Sequence, residues 1–228
     1  MSTFIEFVEE DGAYALTGSG ITAVMFFMYL AIVLAGVGIF LAGKKEKAQK
    51  ISTKQLVFSA TALALAFPLS YIKILDFPWG GSVTLCSMLF VTLIGYWYGP
   101  MVGFSAAFAY SLLQFIQGGS SYMLSLPQVL MDYLLAFTAL GASGFFKGKK
   151  HGLVIGYLVA VFLRGLFHSI GGYLYWMDYM PEDFPKALTA VYPIIYNYAY
   201  ILGEAAITIV ILLLPPVRNA LVKVERES

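Results

Sequence analysis

Three charged side chains, accompanied by a histidine and an asparagine, stand deep inside otherwise apolar stretches of this chain, where charges are costly and usually functional. They are Asp132, Arg164, His168, Asn197 and Glu204. With a helical rise of about 1.5 Å per residue, Arg164 and Glu204 fall near the middle of their stretches. We interpret these two as a structural ion pair. The other three fall nearer one common end, which predicts a second polar layer with the character of a binding site.

Aromatic side chains gather near the same end of the predicted helices. A carboxylate surrounded by indole and phenol rings suits an aromatic cation, because ring faces attract cations and a carboxylate pairs with them. Two alternatives stay open: rings also concentrate at membrane interfaces without a ligand, and His168 and Asn197 could serve helix packing. The candidate rings are Trp79, Tyr122, Tyr133, Trp176, Tyr192 and Tyr196.

Signals for catalysis or metal binding are weak in the sequence. His151 and His168 do not have the spacing of a metal-ligand pair, and Cys86 is the one cysteine. No serine lies in a nucleophile-elbow motif and no phosphate-binding loop occurs. We therefore predict a protein that is not an enzyme and that uses neither a metal nor a cofactor.

Composition excludes a soluble fold. Of the 228 residues, 60% are hydrophobic and 12% are charged, whereas soluble domains carry about 25% charged residues. The apolar stretches are near the length of about 20 residues that crosses a membrane as a helix. They predict an all-α, polytopic membrane bundle with seven spans, at 21–43, 55–75, 83–99, 101–117, 126–146, 152–175 and 190–214. The third and fourth should form a hairpin broken at Gly99-Pro100.

Lysine and arginine placement predicts the orientation, because short loops rich in these residues stay in the cytoplasm. Basic clusters lie between the first two spans, after the fifth and after the last, all on one side if the span count is seven. The N-terminus should be outside and the C-terminus cytoplasmic, in the plasma membrane of a prokaryote. The predicted parts are an acidic outer tail (1–20), an additional helix (21–43), a basic linker (44–54), a six-helix core (55–216) and a cytoplasmic tail (217–228).

Small residues recur four apart in the second span, where they would let another helix approach closely. Packing within the bundle is the alternative to docking of a partner. The residues form the pairs Ala60/Ala64 and Ala62/Ala66.

Three motifs resemble one known family. They are the run from Ser125 to Tyr133, Arg164 to His168 with Trp176 eight residues later, and the run from Tyr192 to Asn197. Residues of about 52 to 216 are similar to the thiamin-specific substrate-binding (S) component of energy-coupling factor (ECF) transporters. The resemblance implies a six-helix fold, thiamin as ligand, and partners that comprise a transmembrane coupling subunit and two ATPases.

The resemblance also implies roles for individual residues. Asp132-Tyr133 matches an acidic-aromatic pair that binds the aminopyrimidine, although the family normally has glutamate there. The alanine pairs resemble the surface that docks to the coupling subunit. The additional first helix is a second departure from the family pattern. Further residues that match the family's thiamin site are His168, Trp176, Tyr192, Asn197, Tyr122 and, more loosely, Trp79.

Other functions stay open at this point. The altered acidic residue could signal another vitamin or a thiamin precursor. Alternatively, Asp132 could be the protonatable group of an ion-coupled secondary carrier.

Overall fold

The computed structural model describes residues 5–8, 13–16, 19, 51–78, 80–118 and 123–227. The predicted additional helix at 21–43 lies outside the described residues, as do Trp79 and Tyr122. In the described part of the chain the structure is a bundle of helices with two short hairpins. The helices are α1 (Thr53–Tyr71), α2 (Ser87–Tyr98), α3 (Pro100–Gly118), α4 (Leu126–Phe146), α5 (Gly152–Tyr179), α6 (Lys186–Leu213) and α7 (Pro215–Glu227).

The hairpins are antiparallel. Strand β1 (Ile5–Val8) pairs with β2 (Ala13–Leu16), and β3 (Lys73–Asp76) pairs with β4 (Ser82–Thr84). The β3–β4 hairpin occupies residues that the sequence assigned to the ends of the spans 55–75 and 83–99. Gly80 and Gly81, with φ of 90° and 79°, allow the chain to reverse between the strands. The helices on either side are correspondingly shorter than predicted.

Length and composition make α4, α5 and α6 able to cross a membrane, and α2 is a shorter apolar helix. Their outward faces carry large apolar side chains, as expected where lipid replaces water. Phe162 is 57% exposed and Val210 is 62% exposed. The described fold therefore agrees with the predicted helical membrane bundle.

Helices α2 and α3 form the predicted hairpin at Gly99-Pro100. Gly99 has φ of 94° and ends α2, and Pro100 begins α3. The two helices lie so close that a Cβ on Gly103 would be 2.6 Å from the Cα of Gly95. Small residues at helix crossings of this kind supply close van der Waals contact where no hydrophobic effect drives association.

At the end of the chain, helix α7 occupies most of the residues predicted as a tail. Proline at positions 215 and 216 separates it from α6, which ends at Leu213. Val217, Leu221 and Val224 are half-buried at helical spacing, and the residues between them are exposed. An amphipathic helix thus follows the last span.

Candidate functional site

A cavity of about 370 Å³ lies among α1, the start of α2, α3, α4, α5, α6 and the β3–β4 hairpin. It has the size of a small-molecule site, which is usually a few hundred Å³. The structure brings six of the predicted binding residues to its wall: Asp132, Tyr133, His168, Trp176, Tyr192 and Asn197.

Asp132 is 9% exposed and is held by donors from two helices. Gln128 Nε2 and Trp176 Nε1 both donate to its Oδ2, at 2.7 and 2.8 Å. Its Oδ1 lies 3.7 Å from His168 Nδ1, which is too long for a hydrogen bond. One carboxylate oxygen is therefore fixed in position while the other keeps capacity to accept a hydrogen bond.

Both segments that carry the acidic and indole groups are π-helical. Leu130–Leu135 contains Asp132 and Tyr133, and Gly172–Trp176 ends at the tryptophan. In a regular α-helix, eight residues would place Trp176 about 80° around the axis from His168. The wider π turn reduces this offset, so Trp176 and His168 face the same cavity. Isolated π turns inside α-helices occur frequently at functional sites.

Gly171 makes room for the carboxylate. A Cβ at this position would lie 2.4 Å from Asp132 Oδ1, well inside van der Waals contact. The absence of a side chain on α5 therefore allows α4 to bring Asp132 against it.

Asn197 lines the cavity with its amide largely engaged by the protein. Its Nδ2 donates to the carbonyls of Pro193 and His168, at 2.8 and 3.2 Å, and its Oδ1 accepts from Tyr200 Oη at 2.8 Å. The contact with His168 ties α6 to α5 beside the site. Both alternatives raised from the sequence, packing and lining of a site, apply to this residue.

The predicted ion pair between Arg164 and Glu204 is wrong. The ion pairs of the described residues do not include it. The guanidinium of Arg164 instead lies over the ring of Phe137, 4.3 Å from its centroid, and lines the cavity. Depth along a helix axis placed the two residues at one level, but it carries no information about the direction of each side chain around the axis.

Glu204 binds the start of α2. Its Oε1 accepts from Met88 N at 2.9 Å and from Ser87 Oγ at 3.1 Å, and its Oε2 accepts from Thr84 Oγ1 at 2.5 Å. Cys86, which precedes α2 with φ of 57°, provides no side-chain cap. A carboxylate from α6 therefore takes the place of a local cap, at the end of α2 where the helix dipole favours negative charge.

The same face of α6 holds the β3–β4 hairpin at the cavity. Tyr200 and Tyr196 lie four and eight residues before Glu204, respectively, at helical spacing. Tyr196 Oη donates to the carbonyl of Gly80 at 2.9 Å, and Tyr200 packs so closely on Gly81 that a Cβ there would meet its ring at 2.4 Å. Three α6 side chains thus position the segment from Gly80 to Met88.

Sequence reasoning missed several residues of the cavity wall. Gln128 could have been found, because it lies four residues before Asp132 on the same helical face. The others had no comparable signal, since they come from helix ends and from the hairpin. They include Ser70, Lys73, Thr84, Ser87, Gln114 and Gln117.

The alanine pairs of α1 separate into two groups. Ala62 and Ala66 are 5% and 0% exposed and pack in the core of the bundle. Ala60 and Ala64 are exposed. The prediction that all four dock a partner is therefore wrong for Ala62 and Ala66, which face α2 and α3 inside the molecule.

Taken together, these features define a helical membrane protein with a cavity lined by polar and aromatic side chains. Residues 56–223 match the family described as Thiamine transporter protein, and this chain belongs to that family. It is therefore a multi-pass membrane transporter protein and not an enzyme, as the sequence predicted.

Relatives agree with this assignment. The chain is 28% identical over 167 residues to the thiamine transporter ThiT of Bacillus subtilis (strain 168), covering 68% of this chain and 84% of that protein. Its fold is similar to the solved structure of ThiT from Listeria monocytogenes, with a TM-score of 0.56 and 24% identity over 70% of this chain and 92% of the other.

Proposed function

We propose that this protein binds thiamin from the outer side of the membrane and serves as the substrate-binding component of an ECF-type uptake system. The observation that carries the proposal is the position of Asp132: a buried carboxylate, held by Gln128 and Trp176, at the wall of a cavity of suitable size. Membership of the thiamine transporter family supports thiamin as the ligand at this position.

Thiamin offers an aminopyrimidine, a positively charged thiazolium and a hydroxyethyl group. The free capacity of Asp132 Oδ1 suits the exocyclic amine of the pyrimidine, since a charge-assisted hydrogen bond in a dry site is strong. Trp176 provides an indole face for stacking, and Tyr133 and Tyr192 add phenol rings. We assign His168 and Asn197 to polar contacts beside the ring, and Tyr122 and Trp79 to closure of the aromatic cage.

Transport in this proposal depends on partners. The chain has no phosphate-binding loop, so energy from ATP would come from two ATPase subunits through a transmembrane coupling subunit. We place the docking surface on the exposed pair Ala60/Ala64 of α1. The basic clusters that face the cytoplasm in our orientation put the cavity mouth outside.

The direct test is tryptophan fluorescence of the purified protein titrated with thiamin. We expect saturable quenching at submicromolar ligand, with most of the signal lost in Trp176→Phe. The control is Trp97→Phe, because Trp97 lies on α2 outside the cavity wall and its loss should leave the quenching curve unchanged in midpoint. A response to another vitamin in place of thiamin would retain the site and change the ligand. No response to any vitamin would contradict the proposal.

A further inference from the structure

Three polar side chains form a second polar region of the cavity wall, on other helices than the Asp132 carboxylate. Ser70 stands at the end of α1, and Gln114 and Gln117 stand in the last two turns of α3. All three line the cavity. We call these residues the amide cluster; nothing in the proposed binding of the pyrimidine uses them.

The amide cluster is joined by short internal hydrogen bonds. Gln114 Nε2 donates to Ser70 Oγ at 3.0 Å and to Gln117 Oε1 at 2.8 Å. Ser70 Oγ lies 2.8 Å from the same Gln117 oxygen and 2.6 Å from the carbonyl of Phe67. Gln117 Nε2 makes a long contact of 3.4 Å with the carbonyl of Ser70.

Counting donors and acceptors shows what remains for a ligand. An amide has two N–H donors and a carbonyl oxygen with two lone pairs. Both hydrogens of Gln114 are used, and the Gln117 oxygen accepts from Gln114 while it shares the single hydrogen of Ser70 with the carbonyl of Phe67. Among the described residues, the oxygen of Gln114 and one hydrogen of Gln117 have no partner, so the cluster can offer one acceptor and one donor to a ligand.

A hydroxyl group matches this pair, because it donates one hydrogen bond and accepts others. A phosphate ester fits less well, since at neutral pH it is mostly an acceptor and would meet the Gln114 oxygen. The lysine on the same wall, Lys73, is already paired with Asp76 at 2.9 Å.

We propose that the amide cluster is a subsite for the primary hydroxyl of the ligand, with Gln114 Oε1 accepting a hydrogen bond from the hydroxyl and Gln117 Nε2 donating one to its oxygen. The proposal rests on the proposed function, in which the aminopyrimidine lies against Asp132. The two polar regions would then hold the two ends of one ligand and set its orientation.

The test compares the affinities of three ligands for the unmodified protein and for two variants, measured by calorimetry or fluorescence. The ligands are thiamin, the analogue in which hydrogen replaces the hydroxyl, and thiamin monophosphate. For the unmodified protein we expect the analogue to bind about tenfold more weakly than thiamin, as for the loss of one or two neutral hydrogen bonds. We expect the monophosphate to bind more weakly as well. This part of the test needs no variant.

Gln114→Leu and Gln117→Leu should each reduce thiamin affinity to that of the analogue while the analogue's own affinity stays within twofold. Equal losses for both ligands would show that the glutamines only support the fold, and would overturn the proposal. Equal binding of thiamin and analogue by the unmodified protein, or tighter binding of the monophosphate, would also overturn it. Absence of thiamin binding altogether would instead contradict the proposed function.

Discussion

Asp132 illustrates how one side chain can serve both structure and binding. Its Oδ2 satisfies Gln128 and Trp176, which fixes the carboxylate between α4 and α5. Its Oδ1 has no hydrogen bond to another described side chain and faces the imidazole of His168 at a longer distance. The negative charge stays buried because two donors compensate part of its lost hydration, and a ligand donor would compensate more.

Asp132→Asn separates these two roles. The amide oxygen can still accept from Gln128 and Trp176, but an NH₂ group then takes the place of the ligand-facing oxygen. We expect thiamin affinity to fall by about 10- to 100-fold, the usual cost of a lost hydrogen bond to a charged group, with little change in thermal stability. The control is Asp183→Asn, the same change at an exposed position, and titration of both proteins checks the result. Unchanged affinity in Asp132→Asn would remove the assigned role.

Gly171→Ala tests the space that the carboxylate occupies. The added Cβ would lie 2.4 Å from Asp132 Oδ1, so the carboxylate must move. Alanine itself favours a helix by about 1 kcal/mol over glycine, so a binding defect would not arise from loss of helix. We expect thiamin affinity to drop by at least about tenfold, the cost of a weakened charge-assisted hydrogen bond.

The effect of Gly171→Ala should act through Asp132. In a double-mutant cycle with Asp132→Ala, the glycine substitution should then add little to the loss of affinity. Additive losses would mean that Gly171 affects the site by another route.

At the scale of elements, hydropathy predicted where the described helices lie, but it did not predict that residues next to the helix ends form a hairpin. The α2–α3 hairpin was predicted from Gly99-Pro100, because a glycine followed by a proline interrupts a helix whatever apolar segment surrounds it. The β3–β4 hairpin was missed, because its strands are only four and three residues long and mix polar with apolar side chains, which leaves no clear alternation. Length and composition alone do not separate a short strand from a helix end.

The π turns in α4 and α5 bring into contact two residues that the sequence predicted only separately. The motif residues Asp132 and Trp176 were found from their chemistry and from family resemblance. Their direct contact depends on two wide turns that no spacing rule in an ideal α-helix provides. The Arg164–Glu204 pairing failed for a related reason, since contacts around a helix axis depend on packing with other elements.

Glu204 connects α6 to the start of α2, and removing it should destabilise this part of the bundle. It is 2% exposed and accepts three hydrogen bonds. Glu204→Ala leaves the Met88 amide without its acceptor, at a cost of about 2 kcal/mol or more. For a protein of this size we expect the Tm in detergent to fall by at least about 4 °C.

The matched comparison is Glu182→Ala, which removes an exposed carboxylate and should leave Tm unchanged. Glu204→Gln should fall between the two, because a glutamine oxygen can still accept from Met88 N. Equal Tm values for Glu204→Ala and the unmodified protein would show that the cap contributes nothing.

At the scale of the whole molecule, α1 has one alanine strip inside and one outside. Ala62 and Ala66 pack in the core, and Ala60 and Ala64 lie on a face with Leu56 at 61% and Val57 at 56% exposure. Sequence could not choose between the strips, because both are small and apolar, and their difference is the direction in which α2 and α3 lie. An exposed small-residue face on a membrane helix permits close approach of another helix.

Ala60→Leu and Ala64→Leu should therefore weaken assembly without affecting ligand binding. The larger side chains prevent close helix contact, while the cavity wall contains neither residue. Co-purification of the tagged protein with its membrane-embedded partner and ATPases from the native host measures assembly, and thiamin titration measures binding.

Ala206→Leu, at an exposed alanine on α6, is the control and should behave as the unmodified protein. Full co-purification and ATP-dependent uptake with both alanines replaced would place the partner elsewhere. Uptake driven by the membrane potential with no ATPase bound would favour an ion-coupled carrier, in which Asp132 is the first candidate for the coupled proton.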